Sequence, residues 1–303
     1  MAEERVPSVS VIVRTLGNSD RISDALESLA QQSRTDFEVV VVDMSTGSVE
    51  PLLTQFSSRL HNLRHLKVGR ALTRPVALNI GVVEASAPMI AVLDEDDVYD
   101  PAHLELMIAG LESSSADYVY CGVRHATYTS DGHRIICREV PVPYSFEELT
   151  LRNYIGATGA LYRKELWERI GGYDERFEVY EDWEFNIRAA KAGKLVHLPA
   201  VSGESREYTG LDLDAARRCV AGVYWKHRGL YRGRRFFRLG YAWAEQYRRW
   251  PPARTGWHTW SIGGWCPQMA SDLVAWWRFD RAWAKGKFAL TPRRWSLQSG
   301  KPE

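Results

Sequence analysis

Four consecutive acids, Asp94-Glu95-Asp96-Asp97, directly follow the apolar run Pro88 to Leu93. Adjacent carboxylates repel one another, so such a cluster is unfavourable unless a cation or a polar ligand offsets it. Hard oxygen ligands at the end of a buried strand suit Mg²⁺ or Mn²⁺ holding a phosphate-bearing substrate. A solvated acidic turn is the plain alternative. Two other polar groups also end apolar runs: Arg14-Thr15 after Ser8 to Val13, and Asp43 after Phe37 to Val42. A further acid pair, Glu181-Asp182, opens a helical pattern, where the helix dipole by itself favours acids.

The elements that position these groups follow from periodicity. Ser8 to Arg14, Phe37 to Val42, Leu63 to Val68 and Met89 to Leu93 are β-branched or apolar runs of strand length. Asp20 is placed to cap a helix in which Ile22, Ala25, Leu26 and Leu29 recur at helical spacing. Thr73 to Ala85 reads as helix with Pro75 in its first turn, and Pro101 opens another helix through Leu111. This alternation predicts an α/β fold, a mostly parallel sheet with helices on both faces. Ligands of such sheets bind outside the carboxyl ends of the strands. The three polar strand endings fall there together.

Further along, Tyr118 to Arg124 reads as a strand, and Arg124 to Arg138 as a hairpin turning at Ser130-Asp131-Gly132. Ala157 to Tyr162 is a short apolar segment. Glu165 to Ile170 forms a helix stopped by Gly171-Gly172, and Tyr180 to Ala192 one stopped by Gly193.

Five motifs now stand in order: Arg14-Thr15 after the first strand, Val41-Val42-Asp43-Met44-Ser45, Thr73 to Gly81, Ile90 to Pro101, and Gly171 to Phe177 followed by Tyr180 to Phe185. Together they resemble family 2 glycosyltransferases of the GT-A fold, a Rossmann-like architecture, over residues 7 to 200. The resemblance implies an inverting transferase that uses a nucleotide-diphosphate sugar and Mn²⁺ or Mg²⁺. Arg14 and Thr15 would line the nucleotide pocket, Asp43 would accept a hydrogen bond from the base, and Arg74 would face base or diphosphate. Asn79 would tie its helix to the nucleotide loops. Asp94 would contact the ribose and Asp96 the metal, with Glu95 and Asp97 in support. Asp182 maps to the general base beside Glu181. Trp183 is placed either to stack on an acceptor sugar or to fill the core. His197 and Glu204 lie where some relatives complete the phosphate site.

The chain departs from the family at three places. Arg14-Thr15-Leu16-Gly17 replaces Pro-Thr-aromatic-Asn, Asp43-Met44-Ser45 replaces Asp-Asp-Gly-Ser, and Leu78 occupies a place often held by arginine. These changes bear on base selectivity, because the metal and base positions are intact. The expected acceptor is a glycan or a lipid-linked hydroxyl. A nucleotidyltransferase shares the phosphate and metal chemistry but carries a glycine-rich loop near the first strand, which Arg14 to Gly17 is not. The third alternative is a glycan-binding relative that has lost catalysis; intact Asp96 and Asp182 argue against it.

Composition adds a boundary. Residues 213–303 hold 18 Lys/Arg against 5 Asp/Glu and ten of the twelve tryptophans, whereas residues 1–212 hold 21 against 33. We therefore expect a catalytic domain over 1–212 and a basic, tryptophan-rich helical extension over 213–303, with helices at Leu213 to Tyr231 and Ser271 to Trp283. The extension could pack on the core, rest on an anionic membrane surface, where tryptophan and arginine are both favoured, or bind nucleic acid. No recognised motif supports the last, so no nucleic-acid partner is expected. Four scattered cysteines without a CxxC pair suggest reduced thiols. With no signal-peptide core and no apolar run of membrane-spanning length, the catalytic region is expected in the cytoplasm, peripheral to the membrane if the extension binds there.

Overall fold

The computed structural model describes residues 6–17, 19–69, 72–128, 134–139, 142–207 and 213–231. Its strands are β1 (Val9–Thr15), β2 (Phe37–Asp43), β3 (Leu63–Lys67), β4 (Met89–Asp94), β5 (Tyr118–Tyr128), β6 (Arg134–Glu139), β7 (Ala160–Arg163) and β8 (Leu195–Glu207). They form one sheet in the order β3-β2-β1-β4-β7-β5-β6, with β8 also paired to β5. β1 to β4 are mutually parallel, β7 runs against both β4 and β5, and β8 lies parallel to β5. The helices are α1 (Ser19–Ala30), α2 (Glu50–Phe56), α3 (Arg74–Glu84), α4 (His103–Ser114), α5 (Phe146–Leu149), α6 (Lys164–Ile170), α7 (Glu181–Ala192) and α8 (Leu213–Lys226).

Every residue of β1 and β2 is buried, as expected of strands covered on both faces. Alternation divides them. Val9, Val11 and Val13, with Val39, Val41, Ala91 and Leu93, pack on Ile22, Leu26 and Leu29 of α1 and on Leu104 and Ile108 of α4. The opposite face meets α3, so closely that a Cβ on Gly81 would lie 2.4 Å from Ile12 Cγ2. Only glycine allows that approach. The register sets Thr15 opposite Asp43 and Arg14 opposite Asp94, so the polar strand ends share one edge.

Three features differ from the periodicity or add to it. β5 runs unbroken to Tyr128 and pairs antiparallel with β6; the turn expected at Ser130-Asp131-Gly132 lies outside the described residues. The Ala157 to Tyr162 segment divides into a 3₁₀ turn, Ala157–Gly159, and β7. A Cβ on Gly159 would sit 2.8 Å from the Cys121 carbonyl, so the turn depends on its glycine. β8 had no sequence signal, because Pro199 and Gly203 interrupt its alternation.

α8 begins at the compositional boundary and buries Ala216, Val220, Val223 and Tyr224. It belongs to the same compact unit as the sheet. The rest of the basic extension, 232–303, including the helix expected at Ser271 to Trp283, lies outside the described residues. Among those described, no helix is long and apolar enough to cross a membrane.

Candidate active site

The carboxyl edge of the sheet is organised around one buried guanidinium. Arg14, at the end of β1, grips Asp94 with Nε and Nη2, each 2.5 Å from a carboxylate oxygen, and donates from Nη1 to Glu181 at 3.1 Å. A single side chain thus joins the acidic cluster after β4 to the acid pair that opens α7. Burial disfavours its charge, but Asp94 and Glu181 outweigh that and raise the Arg14 pKa further. Burial likewise pushes against ionisation of Asp94, yet Arg14 and then Arg74 overcome it and hold that carboxyl at about 2.

Arg74 stands at the first position of α3, where Pro75 preorganises the turn. Its Nη2 donates to Asp94 at 3.1 Å and its Nε lies 3.7 Å from Glu181, while its side chain stays 45% exposed. It is an accessible cation at this edge.

The four acids have different partners. Asp94 is engaged by both arginines, and Glu95 accepts from the Thr15 hydroxyl (2.5 Å) and the Leu16 amide (3.2 Å), closing the loop after β1. Asp97 is buried, accepts from Thr158 and from the Arg206 amide at 2.9 Å, and so ties the cluster to β8. Burial first, and Asp94 and Asp96 next, push its pKa up to about 8. Asp96 accepts no hydrogen bond from another described side chain; burial and then Asp94 raise its pKa. A hard divalent cation would relieve both effects, so this carboxylate fits the expected metal. Among the described residues no three His, Cys, Asp or Glu side chains gather as a ready-made metal site. The protein's contribution would be Asp96, with substrate phosphate and water supplying further oxygens.

Asp182 follows at the start of α7. The residue before α7, Tyr180, takes a left-handed conformation (φ 63°), rare for a side chain of that size, to turn the chain into the helix. Asn153 donates through Nδ2 to both Asp182 oxygens (3.2 and 3.1 Å), and the Trp183 amide donates to Oδ1 at 2.7 Å. Burial first, then Glu181, push the Asp182 pKa up to about 6, against these hydrogen bonds and Arg74. Such a group is ionised at neutral pH yet basic enough to take a proton.

The sequence pattern described as Glycosyl transferase family 2 matches residues 10–171, more than half of the chain. The chain belongs to this family. A glycosyltransferase of Mycobacterium bovis (strain BCG / Pasteur 1173P2) named for PGL/p-HBAD biosynthesis is 29% identical over 68% of this chain and 79% of its own length. An uncharacterised glycosyltransferase of Bacillus subtilis (strain 168), YwdF, is 26% identical over 69% and 80%. Among solved structures, S. aureus TarS (residues 1–349) with UDP-GlcNAc superimposes with a TM-score of 0.61 at 18% identity, covering 80% of this chain and 73% of that one. The Pyrobaculum calidifontis mannosyltransferase PcManGT, in complex with GDP-Man and Mn²⁺, gives 0.54 at 18% identity, over 93% and 84%. These likenesses establish the GT-A fold.

For a family 2 glycosyltransferase, the residues expected at the donor pocket prove less exposed than their types suggest. Thr15 is buried, its hydroxyl donating to Glu95 and accepting from the Gly17 amide. Asp43 has no solvent-exposed surface and accepts from the Ser45 amide, His65 and Lys67 at 2.8–3.0 Å. It holds the loop after β2. Asn79 exchanges hydrogen bonds with the backbone of Tyr173, so it ties α3 to the Gly-Gly-Tyr segment instead of to the nucleotide loops. Trp183 is fully buried, donates its Nε1–H to the Leu149 carbonyl, and packs edge-on to Tyr224. It belongs to the core and has no face for an acceptor sugar.

His197 stands beside Tyr120 with its ring centroid 5.0 Å away. Glu204, buried behind the acidic cluster, accepts from Arg206 at 3.2 Å and lies 3.9 Å from Arg124. Two groups carried no sequence signal. Asn153 sits in an irregular loop, and Lys67 with His65 reads as an ordinary β3 edge.

Proposed function

We propose that this family 2 glycosyltransferase is an inverting, metal-dependent enzyme that moves a sugar from a nucleotide-diphosphate donor to a hydroxyl of a glycan or lipid-linked acceptor. The observation that carries this reading is the Arg14 bridge. It joins Asp94, in the same cluster as the half-buried Asp96, to Glu181, the neighbour of the raised-pKa acid Asp182. A divalent cation on Asp96 would offset the charge of the departing diphosphate.

The chain's own residues do the rest. Arg74, exposed and already balanced between Asp94 and Glu181, is placed to meet the diphosphate oxygens, for which a planar guanidinium suits. Asp182 takes the acceptor proton as the new glycosidic bond forms and the sugar–phosphate bond breaks on the opposite side, which inverts the anomeric centre. Support for the donor class comes from TarS and PcManGT, crystallised with UDP-GlcNAc and GDP-Man. The basic residues beyond α8 suit peripheral contact with an anionic membrane in polysaccharide or glycolipid biosynthesis.

The test is release of nucleoside diphosphate from UDP-, dTDP- and GDP-sugars with Mn²⁺ and with EDTA. The expected activity requires the metal, rises with pH through about 6 as Asp182 ionises, and falls at least about 10²-fold in Asp182→Asn and Asp96→Ala. Full turnover by both variants would end this reading. Liposome co-sedimentation that weakens with salt and is lost on truncation after Tyr231 tests the membrane contact.

A further inference from the structure

Asn153 has an unusual hydrogen-bond balance for a half-buried amide. Its Nδ2 lies 3.2 and 3.1 Å from the two oxygens of one carboxylate, Asp182, a donation shared between them. Its Oδ1 is shut off from solvent and accepts nothing. The orientation is dictated by the partner, since an ionised carboxylate only accepts and would repel Oδ1. A buried acceptor left unsatisfied is destabilising, so this residue type is poorly explained by stability.

The loop around it is fixed. Leu149, Thr150, Leu151 and Ile155 each have their carbonyl capped by a distant side chain: Trp183 Nε1 (2.6 Å), Tyr231 OH (2.6 Å), Tyr224 OH (2.8 Å) and Asn186 Nδ2 (2.9 Å). α7, α8 and the turn after α8 thus clamp an irregular segment on both sides of Asn153. The clamp holds the amide against Asp182.

The Asp182 oxygens are then inequivalent. Oδ1 accepts from Asn153 and from the Trp183 amide, whereas Oδ2 accepts from Asn153 alone. We propose that Asn153 is a positioning residue for the general base, keeping Asp182 ionised and leaving Oδ2 as the atom that receives the acceptor proton. The inference rests on the reading of Asp182 as base. The other groups acting on that carboxylate are Glu181 on its own helix, Arg74 at the start of α3, Tyr118 on β5 and Tyr173 before α7. Among the described residues, Asn153 is the side chain that donates to it.

The experiment follows the titration of Asp182 directly, by ¹³C-carboxyl NMR of aspartate-labelled full-length chain, with Asp182→Asn to assign the signal. Asn153→Ala removes the donation that Nδ2 shares between the two Asp182 oxygens. Asn153→Asp keeps the shape and replaces attraction by repulsion. The expected midpoint rises from about 6 by roughly one pH unit in Asn153→Ala and further in Asn153→Asp, both variants remaining folded by near-ultraviolet circular dichroism. The pH–rate profile of donor turnover should move by the same amount.

A purely structural Asn153 predicts a benign isosteric Asn153→Asp and an unmoved midpoint in both variants, and that result overturns the proposal. If the midpoint moves but Asp182→Asn keeps full turnover, the reading of Asp182 as base has failed instead.

Discussion

Replacing Arg14 by methionine removes the charge that two buried acids share while keeping most of the side-chain volume. Arg14 and Glu181 are each only 6% exposed and Asp94 18%, so solvent cannot substitute for the lost partner. Breaking a buried ion pair from one side costs about 3–5 kcal/mol. Asp94 supplies a second route to that magnitude. Its folded pKa of about 2, against about 3.9 when unfolded, is linked to roughly 2.6 kcal/mol of stability at neutral pH.

The sign is decided by the depressed pKa. In the wild type this contribution is present above pH 4 and is lost as pH falls toward 2, so it is flat between pH 7.5 and 5. In Arg14→Met only the 45% exposed Arg74 still opposes burial at Asp94, and we expect the Asp94 pKa to rise above its unfolded value. Stability then recovers as pH falls from 7.5 to 5 and the stranded carboxyl takes up a proton. Urea unfolding at the two pH values measures the difference. We expect a deficit of about 3–5 kcal/mol at pH 7.5 that shrinks by at least about 1 kcal/mol at pH 5. Arg14→Lys should fall between, because one ammonium cannot bridge two acids bidentately. A deficit below about 1 kcal/mol, or one independent of pH, would refute the placement of Arg14 as the hub.

Two further variants test the core around the site. Trp183→Leu should cost about 3–5 kcal/mol in urea unfolding through the lost aromatic volume and the uncapped Leu149 carbonyl, with the acceptor KM unchanged where the variant is folded; a raised KM without loss of stability would restore an acceptor-stacking role. Lys226, at the end of α8, binds Asp174 at 2.7 Å and the fully buried Glu184 of α7 at 2.5 Å. Lys226→Met should cost about 2 kcal/mol, less than a broken isolated pair, because Arg188 and His227 still hold Glu184; an unchanged urea midpoint would show that α8 is not locked to α7 by this charge.

The α/β architecture, the parallel β1 to β4 core, the helix with Pro75 in its first turn and the acid pair at a helix start could all be read from residue order. The reason is local. Strand burial on both faces writes continuous apolar runs, and polar residues at the ends of such runs mark the ligand edge of the sheet. The five motifs added the family on the same basis. β8 escaped notice because a proline and a glycine break its pattern, and its place beside β5 is set by pairing across 77 to 80 residues of chain.

What the sequence determined by itself was therefore which residue types stand at the sheet's carboxyl edge, and in what order. Tertiary structure decided which of them are available. Thr15, Asp43 and Trp183 spend their polar groups inside the protein, Arg74 stays 45% exposed beside Asp94, and no other described side chain donates a hydrogen bond to Asp96. It also brought together Arg14 with Glu181, 167 residues apart, and Asp182 with Asn153 from a loop without any motif. Those choices depend on burial and on long-range hydrogen bonding, neither of which has a local signature along the chain.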